Sequence, residues 1–163
     1  VNIVAPNPHR LREDFASLSR FLGILFGFAA LSLFAEGFYR PLKQLGAGLY
    51  NHDASAFYTF HDTLMPLLPA LMLLGALWQG RRLFQHLAQG DFLSAATATG
   101  VRHTGEWIIA AAITGLIAGE IMAGARAGWA LLAGLAAIGL ALRSLAGVID
   151  HAAAVQADLD QIV

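Results

Sequence analysis

Apolar positions along this chain fall into four long blocks separated by polar stretches. The first, FLGILFGFAALSLFAEGF, runs from about residue 21 to residue 38 and carries one charge, Glu36, near its end. The second covers about residues 60–80, with the uncharged run TLMPLLPALMLLGALW at its centre. The third, about 107–124, is interrupted by Glu120, and the fourth, about 129–147, contains Arg143. Each approaches the roughly 20 residues that a helix needs to cross the hydrocarbon of a bilayer. No block alternates as a barrel strand would, and backbone polar groups inside lipid have to be satisfied within their own segment. The pattern therefore predicts an all-α, integral membrane four-helix bundle built from a single domain, 1–163. Pro66 and Pro69 are expected to kink its second helix.

Between the blocks, Leu11–Arg20 reads as a short helix behind Pro6 and Pro8. An outer loop is expected from Arg40 to about Asp62, capping the bundle or lying on the membrane surface. The inner connection, 81–106, starts as an amphipathic continuation of the second helix, turns at Gly90-Asp91 and begins another short helix near Ser94. In the tail, 148–163, Val148, Ala152, Val155, Leu159 and Ile162 recur at helical spacing. Asp150, Gln156, Asp158, Asp160 and Gln161 fill the other positions, which gives an amphipathic C-terminal helix. Its apolar stripe has two possible covers, the inner connection of the same chain or a partner. Small-residue pairs, Gly23/Gly27, Gly115/Gly119, Gly124/Gly128 and Gly139/Gly147, allow close helix approach within a bundle or across a homodimer.

Composition agrees with the pattern. Of 163 residues, 57% are hydrophobic and 13% charged, about half the charge of a soluble domain. The net charge of −1 gives no reason to expect a nucleic-acid partner. With no cysteine, disulfides, thiolate metal sites and thiol catalysis are excluded. The basic residues set an orientation. Arg10, Arg12, Arg20, Arg81, Arg82, Arg102 and Arg143 fall on one side, against Arg40, Lys43 and Arg126 on the other. Both termini are thus expected in the cytoplasm, with the first block a retained anchor.

Ionisable groups within spans are costly and default to a functional reading. Glu36 lies fifteen residues past Phe21 and Glu120 thirteen past Trp107, so both rise about 20 Å from the inner interface. With His61 and Asp62 they form a candidate ion or metal site near the outer mouth; the competing reading leaves them solvated or paired, Glu120 with Arg126. On the inner side, Glu106 is the candidate partner of Arg143 in a structural ion pair. His86, His103 and His151 fall outside the hydrocarbon or at its edge, whereas bis-histidine haem needs matched histidines within it. No cofactor is expected. The chain also lacks HExxH, a phosphate loop, a dinucleotide fingerprint and a nucleophile elbow, so an enzyme is not expected.

Arg82-Leu83-Phe84, Leu87, Gly90-Asp91-Phe92, Val101-Arg102 and Gly105, with the ending Asp158-Leu159-Asp160-Gln161-Ile162-Val163, resemble a bacterial membrane-protein family, domain of unknown function 2975. The resemblance covers about the second half of the chain. It departs after Phe92, where Leu93-Ser94-Ala95-Ala96 replaces the family's hydroxyl and acidic residues. It implies four helices, a bacterial inner membrane and, through relatives that accompany small helix-turn-helix regulators, a regulatory role. The residues and the resemblance together favour a non-catalytic membrane protein acting through protein contacts, as an accessory subunit or regulator. Its partners would be the lipid bilayer and a membrane protein or a second copy. The alternative is a small ion- or metal-binding transporter using the outer cluster.

Overall fold

Each apolar block nucleates a helix, and the helices run further than the blocks themselves. The computed structural model describes residues 8–51, 67–90, 92, 94–122 and 128–160, and all of its regular structure is helical. The chain opens with α1 (Pro8–Ser32), a π-helical segment (Leu33–Tyr39) and α2 (Arg40–Tyr50), followed by α3 (Leu67–Gln89), α4 (Ala95–Met122) and α5 (Trp129–Asp160). The residues flanking the π segment, Ser32 and Arg40, keep right-handed helical angles. Its three parts therefore form one rod, and the described chain forms four rods. Two of these, Arg10–Tyr50 and Ala130–Leu159, are long and apolar enough to cross a membrane.

The first rod differs from expectation at Arg40, where a loop was to begin. The helix instead continues for the 11 residues of α2. Pro41 has no amide to give to the carbonyl of Gly37, and its ring would crowd that carbonyl in a regular α-helix. The wider π turns just before it relieve the conflict without ending the helix. Gly37 is buried at that point, and a Cβ on it would stand 2.6 Å from Leu67 Cδ2. The first rod thus meets the start of α3 where it has no side chain.

The inner connection is also more helical than its composition suggests. α3 continues through Arg81-Arg82 to Gln89, and the short helix expected near Ser94 is the first part of α4. Only a tight turn separates them. Gly90 adopts φ +99°, a region open to glycine at little cost, and its amide donates to Leu87 O at 3.0 Å. Ser94 starts α4, with Thr97 N donating to Ser94 Oγ at 3.2 Å, as an N-capping serine does.

The helices pack as a row: α1 on α3, α3 on α4, and α4 on α5. Those three seams carry most of the packing between rods among the described residues. What is buried is small. Ala98, Ala111 and Ala146 are at most 1% exposed, with Ala76 and Ala112 close behind. What is large faces out: Leu131 is 74% exposed, Phe28 71% and Leu31 66%. Water-driven folding produces the opposite sorting, since burying a large apolar side chain contributes about 1.5–3 kcal/mol and burying a methyl group far less.

The tightest seam lies between α4 and α5. A Cβ on Gly105 would stand 2.7 Å from Gly139 O, and one on Gly139 would stand 2.8 Å from Gly105 O. The two backbones touch, and of the expected Gly139/Gly147 pair it is Gly139 that makes the approach. Gly75 plays a comparable part on α3, where Trp107 lies on it with ring atoms 2.8 Å from a hypothetical Cβ. Of the other glycines paired by spacing, Gly23 and Gly115 meet a neighbour, whereas Gly27, Gly128 and Gly147, like Gly134, meet nothing within 4 Å.

Gly105→Ala and Gly134→Ala are therefore expected to have opposite effects. The first forces a methyl group into a backbone and costs about 1–3 kcal/mol. The second only removes a flexible residue from a helix and gains up to about 1 kcal/mol. Thermal melts of the two variants in the same detergent would measure the difference.

Candidate functional site

α1 and α4 start, and α3 and α5 finish, at the same end of the row. Arg10, Arg12, Arg20, Arg81, Arg82 and Arg102 all belong to that end, which is called the basic end below. It is knitted together by aromatic contacts. Phe15 of α1 stacks on Phe84 of α3 with ring centroids 6.0 Å apart, and it also meets Phe92 at 5.9 Å. Arg12 lies over the Gly90 turn, where a Cβ would stand 2.6 Å from its Nη2.

One turn further in, Trp78 packs on Phe26 at 5.1 Å. The guanidinium carbons of both Arg81 and Arg82 lie 5.4 Å from its ring centroid, within reach of the attraction between a cation and a ring face. Arg81 also presses on α1 at Gly23, where a Cβ would stand 3.2 Å from its Nε. That Nε is buried and has no hydrogen-bond partner.

Two acids of this end are engaged locally. Arg102 Nη2 donates to Asp150 Oδ2 at 3.3 Å, tying α4 to the extension of α5. His103 Nδ1 and Glu106 Oε2 are 3.1 Å apart. A carboxylate only accepts, so Nδ1 carries the proton. Glu106, the expected partner of Arg143, is therefore bonded to His103. Arg143 makes no ion pair among the described residues, although its backbone lies level with Gly105.

α3 and α4 leave a cleft of about 400 Å³ at this end, lined by Gln79, Arg82, His86, Thr99 and His103 together with small and apolar residues. It is the feature that the sequence reading missed. The signal was present: Gln79, Arg82 and His86 recur at i, i+3 and i+7, and Thr99 and His103 at i and i+4. These spacings put each set on one helical face. His151 is exposed on α5 and lies outside the cleft.

The other candidates divide as follows. Glu36 sits on the π segment and is exposed. His61 and Asp62 lie outside the described residues. Glu120 belongs to the last turn of α4, but its side chain is likewise outside the described part. Among the described residues the helix of Glu36 and that of Glu120 both pack on α3. Among the described residues no group of three metal-ligating side chains forms. On the extension of α5, Val148 is 66%, Val155 47% and Leu159 59% exposed; Ala152 is half-buried, and Ile162 is outside the described residues.

Comparison with known proteins finds no matching family model, no matching curated protein and no matching solved structure.

The link between Arg102 and Asp150 is a partly exposed ion pair, with side chains 43% and 51% accessible. Such pairs contribute about 1 kcal/mol at most. A double-mutant cycle on Arg102→Gln and Asp150→Asn is expected to give a coupling energy below about 1 kcal/mol that shrinks as salt is raised. Chemical denaturation of the four proteins measures it.

Proposed function

We propose that the chain is a multi-pass membrane protein of the bacterial inner membrane, with both termini in the cytoplasm, that acts by protein contact rather than by chemistry. The α5 extension would be its handle for a partner. The observation that carries this reading is the uncovered apolar stripe there. Of the two covers that the sequence left open, the protein's own inner connection does not hide Val148, Val155 or Leu159. An amphipathic helix with its stripe in water is a common docking element for another helix or groove.

The membrane part rests on the inverted sorting of side chains. Small residues between helices and large apolar residues outside suit a solvent of lipid tails, in which helices associate by close packing rather than by escape from water. The row of arginines at one end supports cytoplasmic termini. Trp78 and Trp107 are partly exposed just inside that end, as residues of an interfacial aromatic belt are. The resemblance in residues 82–105 and in the tail agrees with this architecture and with an accessory or regulatory role.

Because the chain has no cysteine, single cysteines report topology without background. Ser17→Cys and Asp158→Cys are expected to react with an impermeant maleimide only in inverted vesicles, and Tyr50→Cys only in right-side-out ones. A photo-crosslinking residue at position 155 or 159 is expected to capture one discrete polypeptide in living cells, and Val148→Asp is expected to abolish that band. Crosslinks confined to lipid or to the same chain would defeat the contact reading. Labelling of positions 17 and 158 from opposite sides would defeat the topology.

A further inference from the structure

We propose that the cleft between α3 and α4 at the basic end binds a phosphate group, held chiefly by Arg82 and His86. Placing such a group at a membrane surface rests on the reading above; the recognition of phosphate rests on the cleft alone.

Charge comes first. Arg82 has no hydrogen bond or ion pair among the described residues, and its guanidinium lies over the face of Trp78. His86 likewise has no polar partner among them. Two carboxylates of this end are already engaged, Glu106 by His103 and Asp150 by Arg102. With Nδ1–H of His103 given to Glu106, its Nε2 is an acceptor, so the donating imidazole of the cleft is that of His86. The first turns of α4 form one wall, and the positive end of that helix adds field of the same sign. The described lining therefore offers a cation, two imidazoles, an amide and a hydroxyl and contains no acid. The Arg82 guanidinium and the His86 imidazole are donors suited to phosphoryl oxygens.

Size and position come next. A space of about 400 Å³ falls within the range of ordinary ligand sites and leaves room for an ester group beside the phosphate. Trp78 lies one turn from Arg82, and Trp107 one turn from His103. The cleft therefore sits just beyond the level of the two tryptophans. Basic pockets between helices at the cytoplasmic surface are suited to the head groups of anionic lipids. A soluble phosphate ester would present the same chemistry from the other side.

The test uses the full chain in two settings. In nanodiscs of phosphatidylcholine doped with phosphatidylglycerol, native mass spectrometry of the ejected protein reads which lipid stays bound. In detergent, inorganic phosphate and glycerol phosphate are titrated while the imidazole resonances of His86 and His103 are followed. Phosphatidylglycerol is expected to be retained over phosphatidylcholine. Arg82→Gln and His86→Gln should each lower that retention by about fivefold, while Arg10→Gln, at the same end but outside the cleft, leaves it unchanged. Arg82→Lys should restore part of the binding, which separates loss of the cation from loss of the fold. Retention without a response in detergent assigns the phosphate to lipid, and a response to the soluble phosphates assigns it to the group itself. If the chain does not insert into the nanodisc, the membrane reading falls and the detergent titration alone decides the cleft. The proposal is overturned if neither setting shows binding, or if Arg82→Gln and His86→Gln bind as the unaltered chain does.

Discussion

Contact between the backbones of α4 and α5 at Gly105 and Gly139 is the constraint around which this fold is arranged. Where two helices touch without side chains between them, dispersion and weak polar contacts replace the water-driven burial of large residues. The same economy recurs along the row. Trp107 lies on Gly75, Leu67 on Gly37 and the Arg81 guanidinium on Gly23. Among the described residues the buried set is alanine, glycine, serine and threonine with Pro41 and Val101, the last its largest apolar member. Bulky side chains are left to the outside, where they set what surroundings the protein tolerates rather than how its helices fit.

That arrangement also concentrates the polar chemistry. With the seams made of small apolar groups, charged residues collect at the helix ends, and the basic end carries most of them. There the extensions of α1 and α3 are joined by rings, Phe15 to Phe84 and Phe92, and those of α4 and α5 by the ion pair of Arg102 and Asp150. The cleft and the uncovered stripe of α5 both lie in this region, which makes it the part of the molecule best equipped to meet something else.

Much of the architecture was legible in the sequence because it is written in long blocks. Four apolar runs, the Gly90 turn, the Ser94 helix start and the helical tail are each local patterns, and each recurs in the structure. Helix ends were less legible. A loop was expected from Arg40, yet the π segment before Pro41 lets the helix continue into α2. Partners were least legible. Depth along the helices grouped Glu36 with Glu120, but depth says nothing of azimuth or neighbour order. Glu106 stood near Arg143 in level, while His103, three residues away on its own helix, was closer. The cleft escaped notice because its polar residues are spread over two helices, and only pairing α3 with α4 turns two modest stripes into one site.

The row of described seams has a mechanical consequence. Among the described residues each inner helix leans chiefly on two neighbours and each outer helix on one, so cohesion passes along the row as it does between the repeats of a solenoid. The first rod packs there chiefly on α3, and its departure would leave the glycine seam of α4 and α5 intact. Tension applied at the N-terminus would therefore unzip the molecule from that side, one rod at a time, with the glycine pair among the last contacts to yield.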